Sequence, residues 1–149
     1  MSYKSFFKYW FPVILWVGCI FWMSTGTFAA SNTSIILEPI LRFLMPNISM
    51  REVHLIHEVI RKLSHVTVYF VLGLLLFRAF RNDSNDMKTW RWILYSVLAL
   101  AIFAAGDEFH QSFVSTRNAS LVDVGIDTLG GFLAQCSILL RNRVYRLDS

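Results

Sequence analysis

"LSHVTVYFVLGLLLFRAF", residues 63–80, decides the fold. Its formally chargeable groups, His65 and Arg78, stand near its two ends, and the residues between are almost all apolar. A run of this kind reads as a helix crossing a bilayer, which takes about twenty residues. The run is slightly short and must borrow flanking residues. On its N-terminal side Ser49-Met50-Arg51-Glu52 matches a capping box, with a serine at the cap and a glutamate three residues on. A helix from Met50 to Phe80 would be roughly 46 Å long. That exceeds the hydrocarbon core, so its first turns should project from it.

Three more apolar runs flank this one. They are "FPVILWVGCIFWMSTGTFAA" (residues 11–30), "WRWILYSVLALAIFAAG" (90–106) and "LVDVGIDTLGGFLAQCSILL" (121–140). Pro12 is read in the first turn of its helix, where proline is tolerated. The first run, led by Lys4 and Lys8 and closed by Thr27-Phe28-Ala29, also fits a cleavable signal peptide. The composition agrees with membrane residence. The chain has 149 residues, 55% of them hydrophobic and only 16% charged, with five Trp and thirteen Phe. One domain over residues 1–149 is expected, an all-α membrane protein of four transmembrane helices. The net charge of +4 does not point to nucleic acid, because the basic residues sit at the ends of apolar runs. Cys19 and Cys136 lie inside such runs and read as small buried hydrophobes, outside any disulfide framework.

Lys and Arg divide nine to five between the two sides, the nine including Lys4, Lys8, Arg78, Arg81 and Arg141. The richer side is expected to be cytoplasmic, with both termini inside. Between the first two spans, Ile36, Leu37, Ile40, Leu41 and Leu44 recur at helical spacing before Pro46. A short amphipathic helix on the outer surface is expected there.

The polar residues converge at that outer end. At 100° per residue, His54, Glu58, Arg61, His65 and Tyr69 form one stripe, with Lys62 at its edge. Asp123, Asp127, Gly130 and Ala134 share a face of the fourth helix, and the small residues there permit close approach. Asp107 and Gln111 share a face if the third helix continues that far. A carboxylate deep in a bilayer costs about 2.5–3.5 kcal/mol even on the lenient scale. Asp127 should therefore face the bundle and find Arg61, Lys62, Arg117 or a histidine.

Several readings compete for this cluster. The plainest is a scaffold whose charges only fix helix packing. A metal site could draw on His65, His110, Asp107, Glu108, Asp123 and Asp127, which would make a metal-dependent membrane hydrolase. However, "HLIHEVIR" (54–61) lacks the second histidine of HExxH, and no recognised ligand spacing remains, so no residue is assigned to metal. Metal-free transfer would use His65 or His110 as base and Lys62 or Arg117 against an anion, with Ser112, Ser115 and Ser120 nearby but no nucleophile elbow. Proton transport through Asp123, Asp127 and His65 would need an oligomer. Binding would use Arg61, Lys62 and Arg117 as a clamp for a phosphate or carboxylate.

Three blocks resemble the VanZ-like family of small membrane proteins. "FWMST" (21–25) with "SNTS" (31–34) is similar to the serine-bearing end of that family's first segment. "IRKLSHVTVYFVLG" (60–73) carries its Arg-Lys-x-x-His-x-x-x-Tyr-x-x-x-Gly core as Arg61, Lys62, His65, Tyr69 and Gly73. "DEFHQSFVSTRNASLVDVGIDTLGG" (107–131) resembles its Asp-Glu-x-x-Gln, Arg and Asp-x-x-x-Asn-x-x-Gly signature at Asp107, Glu108, Gln111, Arg117, Asp123 and Gly130. Asp127 departs from the commoner Asn, and "VSTRNAS" replaces the commoner Pro-Gly-Arg turn. The resemblance covers nearly the whole chain. It implies a bacterial cytoplasmic-membrane protein, and the family's namesake is linked to teicoplanin resistance.

The resulting expectation is an envelope protein that binds or acts on an anionic lipid or cell-wall-linked ligand. His65, Asp107, Glu108 and Asp123 are the candidates for catalysis. Arg61, Lys62, Tyr69, His110, Gln111, Arg117 and Asp127 are the candidates for ligand binding. The sequence identifies no cofactor and leaves open whether the site catalyses.

Overall fold

The computed structural model describes residues 3–25, 30–82, 89–113 and 121–147, with the backbone alone for 30–32 and 142–147. Among these, five helices and no strand occur: α1 (Tyr3–Met23), α2 (Ala30–Leu44), α3 (Met50–Arg81), α4 (Thr89–Gln111) and α5 (Leu121–Leu147). Four of them, α1, α3, α4 and α5, are long and apolar enough to cross a membrane. The protein is thus an all-α membrane protein with a short amphipathic helix between its first two spans.

α3 begins as its sequence dictates. Ser49 Oγ accepts from the Glu52 amide at 3.3 Å, and Glu52 Oε2 accepts from the Ser49 amide at 2.8 Å. This reciprocal pair satisfies donors that a helix start leaves open. The helix runs for 32 residues, roughly 48 Å at the usual rise. At its far end Asn82, in the left-handed φ region, closes the chain with its N–H on Arg78 O at 3.0 Å.

α1 is displaced from the expected span, starting at Tyr3 rather than Phe11 and ending at Met23 rather than Ala30. Pro12 therefore sits inside the helix, where it has no N–H for the carbonyl four residues back. That carbonyl belongs to Lys8, and Arg78 Nη2 of α3 donates to it at 3.2 Å. The apolar pattern predicted the span, but the partner for a proline-freed carbonyl lies in another helix and is invisible in the pattern. At the other end Thr25 Oγ1 donates to Trp22 O at 2.7 Å, a local bond that competes with helix continuation.

The bundle core is apolar and centred on α3 and α4, with Tyr69, Leu72, Leu76, Leu100 and Ala104 buried. Many large apolar side chains on the outer faces stay exposed, among them Leu63, Leu98, Ile102 and Leu140. Water would penalise them, whereas lipid covers them. The most extensive contact joins α3 to α5. A Cβ on Gly130 would stand 2.5 Å from the Val66 carbonyl oxygen, so only glycine allows this approach. Gln135 Nε2 of α5 donates to the Gly73 carbonyl of α3 at 3.0 Å and ties the same seam. α2 touches the bundle mainly through α3, where Thr33 Oγ1 lies 2.7 Å from His57 Nε2.

Candidate functional site

At the end of the bundle next to α2, α3, α4 and α5 bring their polar groups together. α4 does continue through Gln111, and its last turn turns inward: Asp107 and Gln111 are 2% and 1% exposed. Gln111 Nε2 donates to Asp107 Oδ2 at 2.9 Å. Asp127, 0% exposed, pairs with His65, whose Nδ1 stands 2.9 Å from Asp127 Oδ1. One turn nearer the start of α5, Asp123 meets Arg61 Nη1 at 3.5 Å, while Arg61 Nη2 holds Glu58 at 3.2 Å. Each buried carboxylate of α5 has therefore found a nitrogen partner on α3, Arg61 or His65, as the cost of an unpaired buried carboxyl group requires.

Between this cluster and α2 lies a cavity of about 370 Å³. Its walls are of two kinds. Ile20, Met23, Ile36, Leu37, Ile40 and Val68 make an apolar side, and Arg61, His65, Tyr69, Asp107 and Gln111 make a polar floor. Ser24, Thr33, His57 and Ser64 complete the polar part. Ile36 and Ile40 line the cavity and are also exposed, so it opens past α2. Its size is at the lower end of ligand pockets, about 300–1,000 Å³.

Hydrogen bonding in the floor is incomplete. Asp107 Oδ1 and Gln111 Oε1 are buried with no partner. The Gln111 amide nitrogen already faces Asp107, so its leftover atom is an acceptor. Each such orphan costs roughly 1–3 kcal/mol. His65 is different. Asp127 holds its Nδ1 side, which leaves Nε2 as the ring nitrogen able to meet a ligand in the cavity. An imidazole oriented in this way can take up or give a proton.

Not every expected site residue reaches the cavity. Arg61, His65, Tyr69, Asp107 and Gln111 line it, whereas Asp123 and Asp127 stand behind as partners of Arg61 and His65. Glu108 is buried beside the cluster without lining the cavity. His110 instead packs its ring edge-on against Phe21 of α1, centroids 5.8 Å apart. Lys62 is exposed and lines no part of the cavity. Arg117 lies outside the described residues, as do Ser115 and Ser120. Among the described residues, no three His, Cys, Asp or Glu side chains gather as a metal ion would need.

Sequence reasoning missed Ser24, Thr33, His57 and Ser64. The stripe through His54 and Glu58 leads outward, and both are exposed. The row that enters the cavity is His57, Arg61, His65 and Tyr69, at four-residue spacing. That spacing was available as a signal, because i and i+4 side chains share a helix face. Ser24 and Thr33 come from α1 and α2, whose placement no periodicity gives.

The sequence model described as VanZ/LLP1 matches residues 9–142. No curated protein and no solved structure matches the chain.

Proposed function

The chain belongs to the VanZ/LLP1 family, and from that premise we propose that it is an envelope protein binding or acting on a phosphate-bearing lipid or cell-wall-linked amphiphile. The apolar chain of the ligand would run along Ile36, Leu37 and Ile40, and its head would rest on Arg61, His65, Tyr69, Asp107 and Gln111. Asp123, Asp127 and Glu108 would hold that floor in shape. Lys62, His110 and Arg117 stay in the proposal as further groups for an anionic ligand.

One observation carries this reading: a cavity apolar on one side and polar on the other, with buried hydrogen-bonding atoms left unsatisfied in its floor. A pure scaffold would close its polar groups on one another, as Arg61 does with Glu58 and Asp123. Placing the cavity at the outer leaflet of a bacterial cytoplasmic membrane, with both termini inside, rests on the distribution of Lys and Arg. Glycopeptide (teicoplanin) resistance is a phenotype to assay alongside binding.

The test is lipid retention. Protein purified in mild detergent should carry bound lipid, seen by mass spectrometry. Ile40→Trp, which fills the apolar side, should lose that lipid while keeping the wild-type elution and melting behaviour. If the wild type carries no lipid, and Ile40→Trp and Glu108→Gln change only folded yield, the scaffold reading stands instead.

A further inference from the structure

We infer that the cavity selects an amphiphile whose head group carries hydrogen-bond donors, an ammonium or a hydroxyl group, and that Asp107 and Gln111 read those donors. The inference rests on the amphiphile reading above and sharpens it. The cavity's own donors are largely committed. Arg61 gives its two terminal nitrogens to Glu58 and Asp123, and the Nδ1 side of His65 faces Asp127. Ser64 Oγ donates to Ile60 O at 2.8 Å within its own helix, and Thr33 and His57 bond to each other. The Gln111 amide nitrogen is spent on Asp107.

What remains is lopsided. Asp107 Oδ1 and Gln111 Oε1 have no partner, and both accept only. They belong to side chains that are at least nine-tenths buried and that line the cavity. Ser24 Oγ, also unpartnered and lining the cavity, can play either role. The unmet demand is therefore for N–H or O–H groups. A phosphate alone offers acceptors and would leave Asp107 and Gln111 as they are. A head combining phosphate with an amine or a diol would meet the half-exposed Arg61 with one part and the buried acceptors with the other. An ammonium group offers hydrogens with charge, and a diol offers two hydrogens without charge.

The experiment compares three phospholipids of identical acyl chains against the full chain in detergent, by native mass spectrometry. Phosphatidylethanolamine has N–H donors, phosphatidylglycerol has O–H donors, and phosphatidylcholine has its ammonium hydrogens replaced by methyl groups. One of the first two should bind at least about ten-fold more tightly than phosphatidylcholine. Preference for ethanolamine assigns an ammonium, and preference for glycerol assigns a hydroxyl. In Asp107→Asn the preference over phosphatidylcholine should fall to about two-fold or less. A folding defect would instead weaken all three equally. Equal binding of the three lipids by the wild type overturns the donor inference alone. So does a preference that survives Asp107→Asn and Gln111→Leu together. Absence of binding by all three overturns the amphiphile reading with it.

Discussion

α3 meets α5 and α2 on opposite terms. Towards α5 its backbone lies bare against glycine, with Gly130 under the Val66 carbonyl and Gln135 bonded to the Gly73 carbonyl. Polar side chains pair across that seam, His65 with Asp127 and Arg61 with Asp123. Towards α2 the same helix keeps its distance. Side-chain contacts of Thr33 with His57, beside the cavity, and of Arg42 with Met50, where the two helices join, link them. Lipid gives helices no hydrophobic reason to associate, so small residues and polar pairs must supply it. Where both are present the helices are fixed. Where they are missing a space stays open, and Asp107 and Gln111, each with an unsatisfied acceptor, line it. The two sides of one helix thus divide fixing from receiving.

The harshest way to break this division is Asp127→Ala. His65 would lose its buried partner, and a buried hydrogen-bonding group left unpaired costs roughly 1–3 kcal/mol. Unfolding in mixed detergent should show the loss as a lower midpoint. Asp127→Asn keeps an acceptor for His65 and should cost markedly less. A wild-type midpoint for Asp127→Ala would mean that the pair does not hold the seam, and the contrast with α2 would lose its basis.

Gly130→Ala tests the same seam through shape alone. The new Cβ would stand 2.5 Å from the backbone oxygen of Val66, which cannot swing aside as a side chain would. Overpacking of this kind costs about 1–3 kcal/mol. Gly125→Ala on the same helix is the control, because a Cβ there meets nothing within 4 Å. Equal midpoints for the two variants would show that α3 and α5 do not approach as closely as described.

This division also explains how much could be read from sequence. Four apolar runs and the capping box gave the spans and the start of α3, because both depend on local pattern. The seam was partly legible too. Asp123, Asp127, Gly130 and Ala134 repeat at helical spacing, and a buried aspartate demands a partner, which proved to be His65 among the residues named. The cavity was legible only along α3 and α4. Its far wall is α2 and the end of α1, and nothing in a one-dimensional pattern says that Ser24, Thr33 and Ile40 face Arg61 and Asp107. The extent of α1 differs from the expected span for a related reason. Pro12 marks a helix start unless something outside the helix serves the Lys8 carbonyl, and Arg78, a long way along the chain, does so.

The smallest effect belongs to the loose side. Thr33→Val removes the Thr33–His57 contact and keeps the side-chain shape. A hydrogen bond between membrane helices averages about 0.6 kcal/mol, so the midpoint of bundle unfolding should hardly move. The expected change is local. With its tie to His57 gone, α2 should swing more freely about its C-terminal junction with α3, and lipid bound beneath it should exchange faster. Protease cleavage between α1 and α2, together with lipid off-rates, would report this, and His57→Gln, which keeps a hydrogen-bonding group, should restore part of the slow exchange relative to His57→Leu. A large drop in the unfolding midpoint for Thr33→Val would place α2 among the helices that fix the bundle. An unchanged midpoint with unchanged cleavage and exchange would mean that packing of Ile36, Leu37 and Ile40, and not the polar contact, keeps α2 over the cavity.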